Sequence, residues 1–125
     1  LMSGDDFDLG LKTVLRAYPE TRMLPASGTV RPLRVAPVAI PPSFWGGGTT
    51  RLLVVFDLSN HDTARPRSLL GPEWKLPAGS PPYNASPVYE FGEAWQAFSW
   101  SFPWSPALSV LETVEAYLGR FHDHR

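Results

Sequence analysis

The chain has 125 residues, 43% hydrophobic and 18% charged, with a formal net charge of -1 and no cysteine. Such numbers describe one ordinary globular domain over residues 1–125, with a globular rather than a disordered composition. They also exclude disulfides, thiolate zinc sites and a cysteine nucleophile, and give no electrostatic case for nucleic acid or an anionic membrane. No apolar run approaches the ~20 residues that cross a bilayer. The acidic start LMSGDDFD lacks the apolar core of a secretory signal, so the expected location is cytoplasmic.

Fourteen prolines and 10 glycines imply short elements and long ordered loops. In DDFDLGLKTVLRAYPE, Phe7, Leu11, Val14, Leu15 and Tyr18 fall on one helical face. Asp5 or Asp6 is the expected cap, and Pro19 the stop; Gly10 weakens the helix without forbidding it. TVRPLRVAPVAI follows as a strand that Pro32 and Pro37 place at a sheet edge or make irregular. Gly46, Gly47 and Gly48 turn the chain into RLLVVFDLS. Its five consecutive apolar residues, Leu52 to Phe56, predict a central strand covered on both faces, paired antiparallel with the preceding one.

From Asn60 to Pro87 regular patterns fade among six prolines. One short strand is expected around Ser68 to Leu70. Trp74, Leu76 and Tyr83 are apolar anchors that a free linker would not need. VYEFGEAWQAFSWSF then suggests a last strand followed by a tight aromatic segment, in which Phe98, Trp100 and Phe102 alternate. The closing helix is expected to start at Ser105 with Pro106 in its first position. It would bury Leu108, Leu111, Val114, Leu118 and Phe121, with Val110 and Tyr117 widening the stripe. The fold class is therefore α+β: an N-terminal helix, an antiparallel meander of three to four strands, a proline-rich irregular stretch and a C-terminal helix, the helices on one side of the sheet.

The segment WSPALSVLETVEAYL, Trp104 to Leu118, resembles the start of the helix that follows the active site of ubiquitin-conjugating enzymes. The order of helix, meander, proline-rich passage and helix is similar to that family over most of the chain, and ARPRSLLGP sits where the family has its proline corner. The resemblance implies the UBC-like fold. It also exposes departures. Where the family carries Gly-x-x-Cys, this chain has GEAW, so that Trp95 or Gln96 stands at the cysteine position, and the family's His-Pro-Asn is missing. Thioester transfer needs a thiolate. The resemblance thus implies an inactive variant, or an RWD-like relative, that binds protein partners, a ubiquitin-like protein among them. A small immunity or scaffold protein of unrelated α+β fold is the alternative.

Other chemistry is thinly represented. His122, Asp123 and His124, or His61 with Asp62, are metal-ligand types, but neighbours on a chain terminus seldom converge on one ion, and no metal or other cofactor is expected. Ser99 and Ser101 lack the G-x-S-x-G elbow of a hydrolase. FWGGGTT lacks the lysine and helix of a phosphate loop. NAS at Asn84 matches the glycosylation pattern but has meaning only on a secreted chain. The aromatic residues carry most weight. Core packing is their ordinary use. The functional reading is a partly exposed patch that docks a protein partner, with Tyr83, Trp95, Phe98 and Trp100 as its candidates. Trp104 is expected to wedge beneath its helix.

Overall fold

A computed structural model of the chain describes residues 2–42, 47–74, 85–97 and 104–123, with side chains described as far as Gly119. The elements are α1 (Gly4–Ala17), β1 (Arg22–Met23), β2 (Val30–Ala39), β3 (Thr49–Asp57), β4 (Arg67–Leu70), β5 (Ser86–Glu90), β6 (Glu93–Ala97) and α2 (Val110–Asp123). Among the described residues the strands form one antiparallel sheet in the order β1-β2-β3-β4-β6-β5. The α+β class therefore holds, with six strands in place of three to four. Two of them were hidden for local reasons. β1 is too short to show alternation, and the last strand is in fact a hairpin.

The core forms where the sequence is most apolar. In β3, Leu52, Val54 and Phe56 join one buried cluster, while Leu53 and Val55 join another on the opposite face. A five-residue apolar run is what a strand covered on both sides requires. The first cluster also takes Phe7 and Val14 from α1, and Val110, Val114 and Tyr117 from α2. Both helices therefore pack on one face of the sheet. Phe7 meets Phe56 edge-on at 5.4 Å.

β2 reaches its place despite two prolines. The Pro32 carbonyl accepts from the Leu24 N–H at 2.9 Å. A strand residue's N–H and C=O point the same way, so the missing N–H of Pro32 also faces the β1 side and the β2–β3 ladder is intact. Pro37 lies in a register shift between Val35 and Val38, so the irregular alternative holds. Gly47 and Gly48, with φ 75 and 86, close the β2–β3 connection. No helix among the described residues is long and apolar enough to cross a membrane.

Both helix starts correct the sequence reading. α1 is capped by Ser3, whose hydroxyl accepts from the Asp6 N–H at 3.0 Å; Asp5 and Asp6 sit in the first turn, where negative charge suits the helix dipole. Leu15 is 37% exposed, because it falls at the edge of the Phe7–Val14 stripe. α2 starts at Val110, with its cap four residues beyond Ser105. Ser109 and Glu112 form a reciprocal capping box, the Glu112 N–H donating to Ser109 Oγ at 3.0 Å and the Ser109 N–H to Glu112 Oε1 at 2.8 Å. Ser105 instead closes a turn, accepting from the Leu108 and Ala107 N–H groups. The buried stripe of α2 is consequently Val110, Thr113, Val114 and Tyr117, and Leu111 and Leu118 are only partly buried.

The final hairpin gives the molecule its third layer. β4 separates β6 from β3 in the sheet, and Leu70↔Gln96 is the one described register pair joining β4 to β6. Glu93 of β6 nevertheless contacts Arg22, Arg34 and Arg51 of β1, β2 and β3 at 3.4, 3.1 and 3.4 Å. Such reach requires the β5–β6 hairpin to curl back across the sheet face opposite the helices. Trp95 thereby packs with Leu24, Leu53, Val55 and Leu69.

Candidate functional site

Register places Arg22, Arg34, Arg51 and Arg67 on the sheet face that the hairpin covers. Arg34 pairs with Leu53, Arg22 with Arg34, and Val55 with Arg67. The hairpin brings the complementary charges. Glu93 meets three of the arginines, and Glu90 takes a two-pronged contact from Arg67 at 2.7 and 3.2 Å. That hydrogen bond holds the Glu90 carboxyl below the usual carboxylate range. Arg51 also donates to the Ala94 carbonyl at 2.6 Å and lies over the Trp95 ring at 4.6 Å. Each pair is partly exposed, so its individual contribution is small. Together they fix where the hairpin tip falls.

The tip is a two-residue turn in which both residues have positive φ, Phe91 at 53 and Gly92 at 80. This is the type I′ arrangement, which suits the twist of a hairpin and favours Asn-Gly. Its shoulders are braced by Trp95 Nε1 donating to the Glu90 carbonyl at 3.3 Å and by Tyr89 OH donating to the Gly92 carbonyl at 2.9 Å. A phenylalanine in the left-handed region is a strained choice.

Beyond the tip, the apolar sheet face continues without the hairpin over it. A groove of about 520 Å³ opens there. Val30, Val55, Pro66 and Phe91 give it an apolar lining; Asp57, Asn60, Arg65 and Arg67 bring polar groups. Its volume lies within the range of small-ligand and side-chain pockets. Asp57 Oδ1 accepts from Thr29 Oγ1, Ser59 N and Ser59 Oγ at 2.7, 3.1 and 2.8 Å. These bonds keep its carboxyl below the usual range. Among the described residues, the hydrogen bonds to this carboxylate all fall on Oδ1.

Of the sequence-derived candidates, Trp95 is fully buried. Its expected role as an exposed anchor is corrected: the hairpin turns it onto the sheet and Arg51 covers its ring. Gln96 faces the other way and is also buried, its Nε2 donating to the Gly71 and Trp74 carbonyls at 2.8 and 2.7 Å. Phe98, Trp100 and Tyr83 lie outside the described residues, as do Trp45, Leu76, Phe102, Ser99, Ser101, Asn84 and His124. Trp74 belongs to the helix-side core. Trp104 is the expected wedge: its ring meets His61 edge-on at 5.2 Å, and its Nε1 donates to Thr113 Oγ1 at 3.4 Å. His61 is buried between Phe56 and Trp104, with Nε2 3.3 Å from the Pro106 carbonyl oxygen. Among the described residues no three His, Asp or Glu side chains could hold a metal ion.

The groove was missed because its parts are far apart in sequence. The one local signal was Phe91-Gly92, an aromatic residue before a glycine between two alternating segments. Comparison with protein-family models, curated proteins and solved structures finds no match to the chain.

Proposed function

We propose that the chain is a non-enzymatic protein-binding module of the ubiquitin-conjugating-enzyme-variant type, acting as an adaptor. Its partner is a ubiquitin-like protein or another protein of an assembly. The order of elements supports this reading: a helix, the antiparallel β1–β4 meander and a closing helix after Trp-Ser-Pro, with both helices against one sheet face; the β5–β6 hairpin before Trp-Ser-Pro is an addition to that order. The observation that carries it is the fate of the position where the resembling family has its cysteine. Trp95 and Gln96 there are built into the sheet, one under Arg51 and the other tied to two backbone carbonyls. That position supplies packing, and the groove beside Phe91 supplies a surface for a partner.

The test is titration of the isotope-labelled chain with ubiquitin and a set of ubiquitin-like proteins, followed by amide shifts. Saturable shifts at Val30, Val55 and Phe91 are the expected result. No shift at millimolar partner, together with self-association of the chain, would replace this reading with that of a scaffold protein.

A further inference from the structure

Phe91 combines two observations. Its backbone occupies the left-handed region, where asparagine or glycine would be at ease. Its ring stands in the wall of the groove, only partly buried against the second core cluster. Strain held at one residue, with the side chain turned toward a cavity, is a mark of a binding position. The charges around the groove indicate what enters. Arg67 is engaged by both oxygens of Glu90. Arg65 has contacts of its own and stands on the wall that the groove shares with the Tyr117 side. Asp57, by contrast, takes its hydrogen bonds from the described residues on Oδ1, which leaves Oδ2 for a ligand on the same apolar floor. A carboxylate beside an aromatic ring suits a cation attached to an apolar body.

We propose that the groove captures an apolar side chain of a partner protein flanked by a basic residue, with Phe91 as the ring that receives it and Asp57 as the counter-charge. The proposal rests on the reading of the chain as a binding module, but it concerns the groove's chemistry and stands apart from the partner's identity. It is tested with two small probes that share a ring and differ in charge, phenethylammonium and 3-phenylpropionate, added to the labelled chain.

The ammonium should shift the amides of Val30, Asp57 and Phe91 and bind about fivefold more tightly than the carboxylate, which is what one exposed ion pair with a cation–π contact supplies. Asp57→Asn should abolish that preference while leaving ring binding. Phe91→Asn should melt at or above the temperature of the native chain and lose both probes. Equal or reversed preference, or shifts elsewhere only, overturns the proposal. A clear fall in melting temperature for Phe91→Asn makes the ring a packing residue and overturns its role as receptor. A failure of ubiquitin-like proteins to bind, with the ammonium preference intact, would refute the partner class and leave the groove chemistry standing.

Discussion

Gly10→Ala sets two physical effects against each other at the point where α1 meets α2. In an exposed helix interior the change stabilises by about 0.8–1 kcal/mol, because alanine restricts the unfolded chain and glycine does not. Here a Cβ would stand 2.6 Å from Val110 Cγ2 and 2.8 Å from Val110 Cβ. Val110 is the first residue of α2 and is 1% exposed. Its branched side chain has one well-favoured rotamer in a helix and little room to retreat. Overpacking of this kind costs about 1–3 kcal/mol, and two contacts below 3.0 Å belong to the upper part of that range. The expected net is a loss of about 1–2 kcal/mol, or a fall of roughly 4–8 °C in melting temperature for a chain of this size. Urea denaturation with a common slope gives the free energy directly. Val110→Ala removes the nearer atom but keeps its Cβ, so Gly10→Ala should be milder in that background. A Gly10→Ala chain more stable than the native one would refute the close crossing of the two helices.

The capping box predicts that Ser109→Ala costs about 1 kcal/mol while Ser105→Ala costs a few tenths, as read from thermal melts; the reverse order would put the start of α2 back at Ser105. Glu93→Gln keeps the side chain's shape and removes the charge facing Arg22, Arg34 and Arg51. With side-chain exposures of 20–64% on these residues, the loss is about 1 kcal/mol, well short of the cost of breaking a buried pair. Its size should shrink in high salt, and a salt-independent loss would mean packing, not charge. The acid limb of stability reports on Glu90 and Asp57, whose carboxyls are held low by Arg67 and by Thr29 and Ser59. A depressed folded-state pKa gives stability that is complete above the unfolded carboxylate value of about 4 and is lost as the pH falls through the folded value. Arg67→Gln should therefore lower the melting temperature at neutral pH and flatten its decline below about pH 4; an unchanged slope would show that the Arg67–Glu90 contact does not persist in solution.

Much of the fold was legible where one face of an element meets the core. The Phe7–Val14 spacing, the Leu52–Phe56 run and the short strand at Ser68 to Leu70 each reflect burial that periodicity records directly. The misplaced boundaries are both helix starts. Ser105-Pro106 and Ser109-x-x-Glu112 are both legitimate helix starts by local chemistry. The choice was made by tertiary contacts that sequence spacing does not register: His61 against Trp104, with its Nε2 at the Pro106 carbonyl, occupies the region where an earlier turn of helix would run. At α1 the choice is local: Ser3 accepts from the Asp6 N–H, which leaves Asp5 and Asp6 inside the first turn.

The site was less legible, because it is made by an event that no local pattern encodes, the folding of β5–β6 across the sheet. The acidic residues of that hairpin, Glu90 and Glu93, lie far in sequence from Arg22, Arg34, Arg51 and Arg67, and each looks like ordinary surface charge alone. Once they pair, two consequences follow together. Trp95 is pressed onto Leu53 and Leu69 and leaves the surface, and the apolar stripe of the sheet emerges again only past Phe91, where Val30 and Val55 meet Asp57. An aromatic residue singled out as an anchor was thus turned inward by the hairpin that turned its neighbour at the tip outward. The number of aromatics in the segment was informative. Among the described ones, Phe91 lines the groove and Trp95 the core, as the hand of one two-residue turn, with φ positive at both Phe91 and Gly92, sets them.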